Sequence, residues 1–572
     1  MKLSSSYLIL SLTWISYSSA LVIPNINDLV TAETTKSASS SISYYQSVLA
    51  GYLPSFFNQE NVIELKSDEN NDINTDFESW IHRQKDISFQ GILNNIGGIS
   101  STLSESEVSE GAVIASPSRI KPDYFYQWTR DAALTIKSLI HHIDDEKFKN
   151  VEPVKNIIES YIENNYYIQR LDNLSGKFDD ESKSGLGEPK FYPNNKPFEK
   201  NWGRPQRDGP GLRAITILSY ISLLNKHQES FSNQFLNNQT SVYEEIIKPD
   251  LIYIIKNWYK EGFDLWEEIN SHHFYTSITQ LSALKSALIF IQENNYPESN
   301  EFLTQLNQTF NNLKQFIEFD SGYKSNTLPY IIETPSLLKL GKRCGLDAGT
   351  LLGVLHAHNI EFGNYDDIPF DIDNNYLINT LSAMIADMKY RYPINHPKIG
   401  FENAIGVALG RYPEDIYDGY GTSEGNPWFI STASGSEIIY KFIHKLISMK
   451  QDIVINQQNK EFFKQFIDFD KIPAQDLVSA KDSDSDSNAN ADVIIRFGSQ
   501  SYKTLAINLS SFSDSFLEIV KDHVDNNGSM SEQFNKYHGF MQGARDLTWS
   551  YSAVWNAFRW REKTLQILES NF

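Results

Sequence analysis

From Phe77 to the end of the chain, apolar residues recur at intervals of three and four and hardly ever alternate, a spacing that favours helices and excludes an extended-sheet fold. Phe77, Ile81, Ile87, Ile92 and Ile96 form one such stripe over residues 78–95, and Ile157, Ile158, Tyr161 and Ile162 form another behind Pro153, which suits a first helical turn. Leu281, Leu284, Leu288 and Ile291 form a third, with further runs at 346–358, 376–388, 429–447, 516–524 and 547–568. Residues 212–224 are apolar on nearly every side, the mark of a helix in an inner layer. The spacing predicts about twelve helices joined by long loops and few strands, an all-α protein.

Ahead of this region, Met1-Lys2, the apolar segment 7–15 and Ser18-Ser19-Ala20 have the order of a signal peptide over residues 1–20. The apolar segment is shorter than the roughly 20 residues a membrane span requires. Residues 21–75 are rich in Ser, Thr and Asn and read as a partly disordered leader, leaving 76–572 as the folded domain. An exported protein is expected to carry glycans, and Asn173, Asn238, Asn307, Asn508 and Asn527 each begin an Asn-x-Ser/Thr sequon. Cys344 is the single cysteine, so stability rests on the buried core and not on an internal disulfide. The net charge of −22 works against nucleic acid and anionic membranes as partners. The acidic stretch at 482–490 alternates Asp with Ser but lacks the Gly and closing Glu of a calcium loop, and reads as a solvated insertion.

The unusual residues sit in the loops. In Gly262–Glu268, two adjacent carboxylates follow Trp266; an apolar ring face makes a carboxyl costly to ionise and suits it to donate a proton, although a solvated pair near a helix start is an equally simple reading. A second acid, Glu532, stands in Ser529–Phe534. Elsewhere along the chain, Pro122–Asp131, Trp202–Pro210, Gly410–Asp415, Gly425–Phe429 and Ala544–Trp549 each set aromatic, Arg or carboxylate residues before a helical run. Taken singly, each fits capping and core packing. Together they suit a sugar, whose hydroxyls are gripped by Arg–carboxylate pairs while its face stacks on a ring.

In their order along the chain, Tyr124–Asp131, Gly185–Phe191, Trp202–Pro210, Phe263–Glu268, Arg411–Asp415, Gly425–Phe429, Ser531–Gln533 and Arg545–Tyr551 resemble the motifs of the glucoamylases of glycoside hydrolase family 15, most closely the yeast-type secreted enzymes, from Asp76 to Leu568. The resemblance implies an (α/α)₆ barrel of six inner and six outer helices with the active site in the loops at one end. It also implies an inverting exo-hydrolase that releases β-D-glucose from non-reducing ends of starch and maltooligosaccharides, cutting α-1,4 bonds and, more slowly, α-1,6 bonds. By the same resemblance Glu267 is the general acid and Glu532 the general base, and Glu268 binds sugar on the leaving-group side. Arg130, Asp131 and Arg411 grip hydroxyls, while Trp128, Trp202, Leu265, Trp266, Trp428 and Trp549 line the pocket. Tyr124 is expected to steady developing positive charge.

Inversion requires the two carboxyl groups to stand about 6.5–9.5 Å apart, leaving room for water; Glu267 is expected neutral against Trp266 and Glu532 ionised in a polar setting. The expected enzyme is a monomer without metal or organic cofactor, secreted, acting on starch, glycogen-type and maltooligosaccharide substrates, and ending at the barrel without a starch-binding domain. The competing readings are a related hydrolase for trehalose or isomalto-dextrins and a non-catalytic glucan-binding protein.

Overall fold

A computed structural model describes residues 71–99, 103–358, 361, 366–399, 405–478 and 492–572. The expected signal peptide, residues 21–70 of the leader and the acidic insertion at 482–490 lie outside the described residues.

Twelve long helices carry the architecture: α1 (Asn71–Asn94), α2 (Thr129–Asp145), α3 (Glu152–Gln169), α4 (Asp208–His227), α5 (Lys248–Asn257), α6 (Phe274–Glu293), α7 (Asn300–Gln315), α8 (Ala348–Ala357), α9 (Asn375–Arg391), α10 (Phe429–Ser448), α11 (Gln500–His523) and α12 (Thr548–Asn571). The even-numbered helices pack in a closed ring, α2 on α4, α4 on α6, and so round through α8, α10 and α12 back to α2. The odd-numbered helices pack on the outside of that ring; α1, for example, sets Trp80 5.5 Å from Phe558 and Phe89 6.0 Å from Trp555 of α12. This is the (α/α)₆ barrel that the resemblance implied.

Burial follows position in the barrel. Helix α4 is buried along almost its whole length, as its all-round apolar sequence predicts. Helix α6 is long and apolar enough to cross a membrane, but 78% of its most apolar 18-residue stretch is buried inside the barrel. Outer helix α7 instead shows a single stripe, Phe302, Leu306, Phe310 and Leu313, with Ser299 capping its start by accepting the Phe302 N–H at 3.2 Å. The runs named from spacing leave out α2, α5 and α7; in α7 the apolar residues are diluted by Asn, Gln and Lys, and α5 is only a short run, Leu251–Ile255.

All six inner helices begin at one end, and the loops entering them are stitched together by backbone hydrogen bonds. Trp128 pairs with Lys190; Phe263 N donates to Pro205 O at 2.9 Å, Ala348 N to Arg411 O at 2.7 Å, Trp428 N to Leu409 O at 2.8 Å, Phe534 N to Pro427 O at 3.1 Å and Thr548 N to Ala115 O at 2.9 Å. Chain segments far apart in sequence thus form one rim with fixed geometry. Among the described residues most of the short strands lie here, where loop backbone needs partners that no helix supplies; the pair Ile453–Ile455 and Val493–Ile495 instead follows the end of α10.

Candidate active site

Glu267 is held in a tight turn between the paired strands Gly262–Phe263 and Asn270–Ser271. The Asp264 carboxylate accepts the N–H groups of Glu268 and Ile269, both at 2.7 Å, and fixes Glu267 at φ +68°, a left-handed conformation that a non-glycine residue adopts only under constraint. Glu267 Oε1 accepts the Trp128 indole N–H at 2.6 Å and Gln206 Nε2 at 2.9 Å. Gln206 in turn accepts from Arg130 Nη1 at 3.0 Å, whose Nη2 stands 3.8 Å from Glu267. The neighbouring indole is not the one expected: Trp266 turns away and donates to Asp347 at 2.8 Å, because successive side chains of so tight a turn diverge. Trp128 takes its place beside the acid.

Glu532 precedes strand Gln533–Phe534, which pairs with Met541–Gln542, and its N–H donates to Ala544 O at 2.8 Å. Its carboxyl is 1% exposed. Burial pushes it up to about 8, against the Tyr124 and Tyr417 hydroxyls and the Arg411 guanidinium, which favour the ionised form. The polar setting expected from sequence is present in these hydroxyls and in Arg411, but burial outweighs it and disfavours the ionised form. The barrel wall strips Glu532 of water more than the hydroxyls compensate. Gly543 makes this close packing possible, since a Cβ there would stand 2.5 Å from Glu532 Oε2.

Tyr124 links the two acids. Its hydroxyl is 2.9 Å from that of Tyr417, its ring lies 5.5 Å from Trp128, and burial together with the charges of both Glu532 and Glu267 raises its phenol well above the usual value. Carboxylates from distant stretches of the chain therefore act on one phenol.

Glu268 turns to a cationic wall: Arg411 Nη2 reaches it at 2.8 Å, Arg343 Nη2 at 2.7 Å, and the Tyr412 hydroxyl donates to it as well. Burial works against its charge, but Arg411, Tyr412 and Arg343 hold it below the usual carboxylate range. Arg411 also grips Asp415 and lies 5.3 Å from the Trp266 ring and 5.4 Å from Trp428.

On the opposite wall Arg130 donates to Asp208 at 2.9 Å and stands 3.5 Å from Asp131, with Trp549 5.9 Å beneath its guanidinium. Burial raises Asp131 to about 6 despite Arg130. Among the described residues Asp131 Oδ2 and the Trp428 indole N–H have no hydrogen-bond partner, the incomplete valences that a hydroxyl-rich ligand can fill. Trp202 stands 37% exposed at the edge, 6.3 Å from Trp128. Leu265 is buried in the core against Gly349.

Gln206, Asp208 and Asp415 lay inside quoted motifs without being singled out. Tyr417 follows Arg411–Asp415 by two residues, whereas Arg343 and Asp347 carry no sequence signal. Lys190 belongs to the Gly185–Phe191 motif, and its buried ammonium lies 3.1 Å from the Trp202 ring centroid and 4.5 Å from that of Trp128. Among the described residues no group of three or more His, Cys, Asp or Glu is arranged to hold a metal ion.

With this geometry in place, comparison with known proteins is specific. The family described as Glycosyl hydrolases family 15 matches residues 86–559. The chain is 38% identical to glucoamylase GLU1 of Saccharomycopsis fibuligera, over 86% of this chain and 91% of that protein. It is 37% identical to an intracellular sporulation-specific glucoamylase of Saccharomyces cerevisiae, over 86% and 85%. A solved glucoamylase from Saccharomycopsis fibuligera superposes with a TM-score of 0.78 at 37% identity, covering 86% of this chain and 97% of the other.

Proposed function

The chain belongs to glycosyl hydrolases family 15, and from that premise we propose that its pocket hydrolyses starch and maltooligosaccharides from their non-reducing ends as an inverting glucan 1,4-α-glucosidase, releasing β-D-glucose. The observation that carries this reading is that one rim holds both acids about Tyr124: Glu267 through Trp128, which donates to it at 2.6 Å and lies 5.5 Å from the Tyr124 ring, and Glu532 through the rim backbone and the Tyr124 and Tyr417 hydroxyls.

Glu267 transfers its proton to the glycosidic oxygen as the bond from C1 to that oxygen breaks. Water adds to C1 from the opposite face, and the Glu532 carboxylate takes the proton it loses, so one water is consumed and the anomeric configuration inverts. The same burial that raises Glu532 makes its ionised form a stronger base. Tyr124 steadies the positive charge that develops on the sugar ring, while Arg130, Asp131, Arg411 and Glu268 hold hydroxyls through charge-assisted hydrogen bonds. NMR of the first product from maltotriose tests this directly: β-D-glucose is expected, and α-D-glucose or no glucose overturns it. Glu267→Gln and Glu532→Gln must each abolish turnover while substrate binding persists.

The N-terminal pattern supports export, although one relative is an intracellular enzyme. Activity in the culture medium and a mature N-terminus after Ala20 test it. Glycans then fall on Asn238, Asn307 and Asn527, whose side chains are exposed, and not on Asn173 and Asn508, which are half-buried. Mass spectrometry of glycopeptides distinguishes the two groups.

A further inference from the structure

Inside the ring of inner helices, below the sugar-binding wall, lies a cavity of about 50 Å³. Its upper wall is Trp549 and His356, the latter tied to Tyr275 at 3.0 Å. Its sides carry Lys137, Lys441, Glu437 and Asn556. A space of this size holds a small ion with a water or two, given the roughly 10–15 Å³ that one water-sized particle needs.

The charges around it do not balance. Lys441 is paired with Glu437 at 2.9 Å, and Arg559 and Lys563 share Asp145 and Glu361, Arg559 at 2.6 and 2.7 Å and Lys563 at 3.4 and 2.5 Å. The groups that act on Lys137 are two cations, Lys441 and Arg559, and two carboxylates, Glu361 and Glu437, which offset one another. The nearby histidines add no charge near neutrality, because burial holds His141 and His356 well below their ordinary range. The Lys137 ammonium is thus in excess. It lines the cavity and makes no hydrogen bond or ion pair with the described residues. A buried cation keeps its charge only if something pairs with it.

We propose that this axial cavity is a binding site for one small monovalent inorganic anion of chloride size, held by Lys137. The anion neutralises the excess charge, keeps Lys137 protonated and braces the Trp549–His356 floor on which the Arg130 wall rests. Without it, burial leaves Lys137 titrating near 7, and the cavity is filled by water around a part-neutral amine.

Thermal unfolding of the full chain at pH 7 and constant ionic strength, with sodium chloride or bromide replacing sodium gluconate, tests the proposal. A bound ion must raise the melting temperature with the logarithmic dependence of mass action once its concentration passes Kd. That rise must vanish in Lys137→Met, which keeps the stem and removes the charge. Crystals grown in bromide must show anomalous density within contact distance of Lys137 Nζ, a measurement that stands even if the variant does not fold. An identical salt response in wild type and variant, or bromide-soaked crystals with only water beside Lys137, overturns it.

Discussion

The Trp128 indole N–H and Glu267 Oε1 lie 2.6 Å apart, and Gln206 donates to the same oxygen, so among the described residues both protein donors crowd one oxygen and Oε2 receives none. The acid is thereby oriented with one oxygen committed to the wall and the other left for the proton it delivers. Trp128→Phe keeps the ring packing against Tyr124 and Trp202 but removes the donor. Since a hydrogen bond to a charged group contributes about 1.5–3 kcal/mol, kcat on maltose should fall roughly 10- to 100-fold with KM changed far less. Steady-state kinetics check this; a loss confined to KM would mean that Trp128 only binds sugar.

Tyr417 sets the protonation of the base. Its hydroxyl and that of Tyr124 favour the ionised Glu532 against a burial that pushes it to about 8. Tyr417→Phe therefore raises Glu532 further. A general base works ionised, so the rising limb of kcat/KM against pH should move to higher pH in the variant, and activity at a fixed acidic pH should drop. An unmoved limb would separate Glu532 from that titration.

The same shift has a signature in stability. A carboxyl whose folded value lies above its unfolded one contributes stability below the unfolded value, and that contribution is lost as pH rises toward the folded value. Between the ordinary glutamate range and about 8, wild type should lose stability relative to Glu532→Gln, by at most ~1.4 kcal/mol per pH unit. Denaturant unfolding at pH 5 and pH 8 measures the difference; a gap that stays constant would contradict the shift.

Much of this was legible in the sequence, for identifiable reasons. The inner helices other than α2 announce themselves because burial on all sides demands apolar residues throughout, as in α4, and the loop motifs of the rim stand out because Trp, Arg and Asp are rarely clustered without cause. Helices α5 and α7 escape notice since one buried stripe suffices on the outside of the barrel. The partner of Trp266 could not be read, because Asp347 arrives from another inner helix through tertiary packing. Nor could the environment of Glu532: the word "polar" describes Tyr124 and Tyr417, but the degree of burial that outweighs them belongs to the fold. Arg343 lies in a stretch with no motif, and only the folded loop brings it to Glu268.

Arg411 tests the cationic wall. Its planar fork spans Asp415 and Glu268 together, a geometry that the single ammonium of lysine cannot reproduce. Arg411→Lys should lower kcat/KM on the order of 10- to 100-fold, given the strength of charge-assisted pairs. Arg343→Met should cost less, because Arg411 still holds Glu268. Equal losses from the two variants would show that the wall acts as one charge and not through the fork.

Away from the site, Arg213 of α4 locks the inner ring to the outer one. Its guanidinium holds Asp250 of α5 at 2.9 and 2.6 Å and Asn165 of α3 at 3.2 Å, while Gln169 of α3 donates to the same Asp250 at 3.1 Å. Arg213 is 2% exposed and Asp250 fully buried. Removing one partner strands the other charge in the interior, so Asp250→Ala should cost about 3–5 kcal/mol. Replacing both, as in Arg213→Met with Asp250→Leu, removes the stranded charge and should restore most of that loss. Neither change touches the pocket, so kcat at low temperature should stay near wild type in every variant that remains folded. Denaturant unfolding of the two single variants and the double variant gives the coupling energy, and a double variant as unstable as Asp250→Ala would show that shape, not charge, makes this pair matter.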